Sequence, residues 1–95
     1  MPVATAHIAI ADPPRYMKRL AKHFEHRVAV EFQERSASVA FPGAPCALHA
    51  GDTHLDIRIE AQDAATLTRL QEVVAKHLKQ VASKETFEVE WSVSS

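Results

Sequence analysis

Glycine is scarce in this chain: Gly43 and Gly51 are the only two among 95 residues. That shortage excludes flexible linkers and glycine-rich phosphate-cradling loops, and it predicts a turn at each glycine. Cys46 is the single cysteine. No intrachain disulfide can form, so the core must hold the fold unaided. Long apolar runs are also missing, with none near the roughly 20 residues that a membrane-spanning helix needs. The opening "MPVATAHIAIADPPR" lacks the basic start and apolar run of a signal peptide, so a soluble cytoplasmic protein is the expectation. Neither sign of charge dominates. Eleven Lys and Arg face twelve Asp and Glu for a net charge of −1, which gives no global attraction to polyanions. Internal repeats, low-complexity tracts and charged tails are absent, and Ser36, Ser38 and Ser83 sit in no nucleophile elbow.

What is present suits one small globular domain. Hydrophobic residues make up 46% and charged residues 24%. A chain of this length buries roughly 60–65% of its unfolded surface, enough for one core. Six histidines would carry the net charge from −1 towards about +5 in acid if all were unperturbed.

Periodicity sets out the elements. "VATAHIAI" reads as a strand with Ile8 and Ile10 on one face. Asp12 is placed to cap a helix from about Pro14 to Glu25, with Pro13 at its first position. Tyr16, Met17, Leu20, Ala21 and Phe24 form the apolar face of that helix, while Arg15, Lys18, Arg19 and Lys22 point away. "RVAVEFQ" and "SASVAF" alternate strictly and are joined by "QERS" as a hairpin. After "PGAP", "CALHA" puts Cys46 and Leu48 on one side, and after "GDT", "HLDIRIE" turns Leu55, Ile57 and Ile59 inward. Asp63 caps a second helix, along which Leu67, Leu70, Val74, His77, Leu78 and Val81 recur at helical spacing. "TFEVEWSV" closes the chain as a last alternating strand.

The order β-α-β-β-β-β-α-β with short turns implies an α+β two-layer domain, an antiparallel sheet with both helices on one face. The other face, carrying His7, Glu31, His49, His54, Asp56, Arg58, Glu60, Glu88 and Glu90, is then solvated or meets a partner.

Four residues are candidate metal ligands. His77 lies inside the apolar stripe of the second helix, Cys46 points into the same layer, and His23 borders the apolar face of the first helix. Thiolate and imidazole together suit zinc or copper(I). His26, three residues after His23, is an outer participant whose simpler role is to complement the helix C-terminus. The ordinary alternative is a core: a free cysteine packs as a small hydrophobe, and a buried histidine is neutral and hydrogen-bonded. A Cys46–His nucleophile pair is disfavoured because a nucleophile must be reachable by substrate. The stripe Arg15, Lys18, Arg19, Lys22 and Arg27 could follow phosphates, although the open sheet face is acidic and lacks base-stacking aromatics.

The segments "RYMKRLAKHFEHRVAVEF", "FPGAPCAL", "LDIRIEAQDAATLTRLQEVVAKHL" and "VEW" resemble the uncharacterised bacterial family known as domain of unknown function 2218. The resemblance spans nearly the whole chain. It implies association with siderophore-interacting flavin reductases and an accessory role in iron handling, which favours the metal or haem reading of the cluster, with zinc, iron and haem as the candidate ligands. It assigns no catalytic residue. The leading expectation is a non-enzymatic binding or accessory module using His23, His77, Cys46 and His26. The alternatives are a homodimerising interaction domain that uses the open sheet face, and nucleic-acid binding through the first helix.

Overall fold

Alternating side chains build the sheet and helical stripes cover one side of it. The computed structural model describes residues 1–94. Its elements are β1 (Val3–Ala9), α1 (Pro13–Glu25), β2 (Val30–Phe32), β3 (Ser36–Phe41), β4 (Ala44–Ala50), β5 (His54–Glu60), α2 (Ala64–Val81) and β6 (Trp91–Ser94). The six strands form one sheet in the order β2-β3-β4-β5-β1-β6, with every pairing antiparallel. This is the α+β architecture and element order that the periodicity implies. Among the described residues, no helix is long and apolar enough to cross a membrane.

Both helices pack on the face formed by Ala4, Ala6 and Ile8 of β1, Ala37 and Val39 of β3, Cys46 and Leu48 of β4, and Leu55, Ile57 and Ile59 of β5. Helix α1 contributes Met17, Leu20 and Ala21, and α2 contributes Leu67, Val74 and Leu78, all at most 2% exposed. No charged or polar residue is buried among the described residues. Removing this apolar area from water is the main favourable term for a fold without an intrachain disulfide.

The ends of the elements depart from the periodicity in four places, each for a local reason. Asp12 precedes α1 but its side chain makes no capping bond. Its backbone is left-handed (φ 51°) and its carbonyl accepts from the amides of Arg15 and Tyr16. Pro13 and Pro14 have no N–H to offer a cap. Strand β2 starts at Val30 rather than Arg27 because the amides of Arg27 and Val28 are already spent on the Phe24 carbonyl. The last strand starts at Trp91 rather than Thr86, since β1 pairs with it only from Val3 to Ala6. Val93 and Phe32 point towards the helices yet are 59% and 39% exposed, because β6 and β2 are the sheet edges.

The remaining signals hold. The Asp63 side chain accepts from the Thr66 amide at 2.7 Å, starting α2. Gly43 turns β3 into β4 at φ +71°, a conformation where a side chain would be strained and would also press on Gln62.

Candidate functional site

Three of the four candidate ligands lie on the helix side of the sheet, and the fourth, His26, closes α1 at its C-cap. Helix α2 presents His77 to α1, half-buried, with its ring 4.5 Å from that of His23 and edge-on to Phe24 at 5.3 Å between centroids. The His77 Nδ1 lies 2.9 Å from the Val73 carbonyl. A carbonyl can only accept, so Nδ1 carries the proton and Nε2 keeps its lone pair. Burial lowers the His77 pKa. The Val73 bond opposes this, and the charges of His23, Lys76 and Arg27 add to it.

Cys46 faces the inner layer as its alternation implies, but it is sealed there at 2% exposure, and burial pushes its thiol up to about 12. A thiol held protonated in an apolar layer is a poor ligand and a poor nucleophile. His23 and His77 are brought together. Yet among the described residues no three His, Cys, Asp or Glu side chains are placed to hold a metal ion. Two imidazoles beside Lys76 and Arg27 fall short of the four ligands of a structural zinc site, and the neighbouring cations repel a metal.

The open side of the sheet carries a second arrangement, created by strand register. His7 of β1 and His49 of β4 both lie directly opposite Asp56 of β5. The Asp56 carboxylate therefore sits between two imidazoles: Oδ1 is hydrogen-bonded to His7 Nδ1, and Oδ2 lies 3.9 Å from His49 Nδ1. His54 stacks on the His7 ring, with centroids 3.9 Å apart and planes within 12°. In the next row, Arg58 lies between Thr5 and Ala47, and Thr5 is flanked by Ser92. Arg58 also donates to Glu60 at 3.0 Å.

Small side chains around larger polar ones leave a depression. A cavity of about 650 Å³ lies over His7, His49, Asp56 and Arg58, with Thr5, Ala47, Glu90 and Ser92 among its other walls. The arrangement supplies hydrogen-bond acceptors, hydroxyl donors and a guanidinium over a shallow floor. A carboxylate oxygen can only accept, so His7 Nδ1 is the donor to Asp56 and its Nε2 is left free to meet a ligand.

Sequence reasoning put His7, His49 and His54 on this face beside Glu88 or Glu90, and missed Asp56 as the residue that gathers them. The available signal was the shared outward phase of positions 7, 49 and 56. It becomes informative only once β1 and β4 are known to flank β5.

Comparison with known proteins supports the fold and the family. The chain is similar to PA4090 from Pseudomonas aeruginosa, solved by NMR, at 32% identity over 97% of this chain and 96% of that one, with a TM-score of 0.81. It also shares its fold with the de novo designed protein Foldit4, at a TM-score of 0.55 and 17% identity over 100% and 98% of the two chains. No curated protein matches. Residues 5–92 match the family described as an uncharacterized protein conserved in bacteria (DUF2218), and the chain belongs to that family.

Proposed function

We propose that this protein is a non-enzymatic binding module that takes a small polar organic ligand on the open face of its sheet. One observation carries the reading. The cavity of about 650 Å³ is of ordinary ligand-site size, and His7, His49, Asp56 and Arg58 converge on it. The polar groups are already oriented by Asp56 and Glu60, which lowers the ordering cost of binding.

Chemical-shift mapping with a panel of small carboxylic acids, amines and sugars tests it. Saturable shifts at His7, His49 and Arg58 are expected, and Ala47→Trp, which fills the cavity from an exposed position, should abolish them with little change in stability. Shifts confined to other surfaces, or unaffected by Ala47→Trp, would reject the reading.

A second reading keeps a metal- or haem-linked accessory role, with a siderophore-interacting flavin reductase as partner. Its support is the His23–His77 pair, because a backbone carbonyl bonded to Nδ1 is how a ligating imidazole is commonly oriented. Elemental analysis and an absorption spectrum of tag-free protein purified without chelators decide it. Metal or haem near one equivalent that disappears in His77→Leu supports the role, and metal-free, colourless protein that takes up neither on addition rejects it.

A further inference from the structure

The near-neutral net charge conceals a separation between layers. Seven of the eleven Lys and Arg residues lie in the two helices: Arg15, Lys18, Arg19, Lys22, Arg69, Lys76 and Lys79. Only Glu25 and Glu72 of the twelve acids accompany them there. Two of the three arginines outside the helices are paired. Arg35 pairs with Asp52 at 3.3 Å and Arg58 with Glu60 at 3.0 Å, whereas no helix lysine or arginine makes an ion pair among the described residues.

Two of the unpaired helix cations, Arg15 and Arg19, come together with Lys84 where the start of α1 meets the end of α2. A cavity of about 280 Å³ lies there, with Arg15, Arg19, Lys84, Ser83, Tyr16 and Glu85 in its walls. The one acid is engaged, its Oε2 accepting from the Tyr16 hydroxyl at 3.0 Å. The same tyrosine ring lies 5.7 Å beneath the Arg19 guanidinium and helps to hold it in place. Three cations around one carboxylate leave an excess of positive charge focused on a concave wall.

We infer that this cavity binds a phosphoryl group. Two arginine forks, an ammonium and a serine hydroxyl supply donors from several directions, which suits a tetrahedral oxyanion better than a planar carboxylate. The space accommodates the group and a few atoms of whatever carries it. Free phosphate and a small phosphomonoester share this chemistry. The site lies across the sheet from the open-face cavity, so either can fail without the other.

The test is titration of the full chain at low salt, followed by NMR, with inorganic phosphate, ribose 5-phosphate and a single-stranded oligonucleotide as separate probes. Phosphate should give saturable shifts at Arg15, Arg19 and Lys84. Arg19→Gln and Lys84→Gln should each weaken binding at least fivefold, while Arg58→Gln leaves it unchanged. Lys84 is exposed and lies outside both helices, so its replacement reports binding rather than loss of fold. Tighter binding of ribose 5-phosphate than of phosphate assigns the site to an organic phosphate, and equal binding assigns it to the free ion. Linear, unsaturated shifts, equal responses in the variants, or binding of the oligonucleotide alone would each overturn the inference.

Discussion

Neighbouring residues of β5 obey opposite rules. Leu55, Ile57 and Ile59 face the helices at no more than 1% exposure, while His54, Asp56 and Arg58, which alternate with them, face the open side with their polar groups in water. On the inner side, position is decided by packing, and among the described residues the one titratable group that the buried sheet face itself carries is the Cys46 thiol, which burial keeps neutral. On the open side, it is decided by cross-strand pairing of polar groups that stay hydrated. The inner face accounts for the fold and the open face is free to carry chemistry. A two-layer domain with one uncovered sheet face gains this division without extra chain.

The sharpest way to probe that contrast is the reactivity of Cys46. With the thiol pushed up to about 12, the thiolate fraction at pH 8 falls by about a thousandfold against an unperturbed cysteine. Labelling by a thiol reagent should be slower in native than in denatured protein by at least that factor, and comparable rates would show the inner layer to be open. Next comes packing. Leu20 is fully buried beneath α1, so Leu20→Ala should cost about 3 kcal/mol in a denaturant titration. A much smaller loss would mean that α1 does not seal the core. Asp63→Ala removes the partner of the Thr66 amide at the start of α2 and should cost roughly a third as much.

Protonation tests the border between the layers. The folded pKa of His77 is below its unfolded value, so the unfolded chain binds more protons as pH falls. The stability associated with neutral His77 is complete above about pH 6.5 and is lost as pH drops towards the lower folded value. His77→Leu should flatten that part of the profile, measured by denaturant midpoints between pH 7.5 and 5, and an unaltered slope would place the titration elsewhere. The smallest effect belongs to the open face. Asp56→Asn should change stability by about 0.5 kcal/mol or less, because both partners are exposed. It should nevertheless shift the imidazole resonances of His7. A loss as large as that of Leu20→Ala would erase the distinction between the two faces.

Much of this fold was legible in residue patterns because strands and helices bury one side at fixed periods. Cys46, Leu48, Leu55, Ile57 and Ile59 face inward as alternation requires, and Leu67, Leu70, Val74 and Leu78 seal α2 as their spacing requires. The element ends were less legible. Prolines removed the need for a side-chain cap at Asp12, and backbone bonds at the end of α1 shortened β2. Of the candidate cluster, the patterns placed His23 at the edge of one apolar stripe and His77 inside another but left their convergence open, and the packing of α1 on α2 is what brings the two rings together. The depth at which Cys46 is sealed was not foreseen, since alternation gives the direction of a side chain and not what lies over it.

The sequence by itself determined which residues share a side of each strand and helix, the number of layers, and the absence of covalent support. These depend on local periodicity and composition, and each is carried by neighbours along the chain. Only the tertiary structure decided that β1 and β4 flank β5, so that His7 and His49 meet across Asp56. It also decided that the start of α1 meets the end of α2, so that Arg15, Arg19 and Lys84 surround one cavity. Both sites join residues more than 40 positions apart in the chain. Such contacts depend on which strands pair and how the helices lie across them, and local periodicity is the same for many such arrangements.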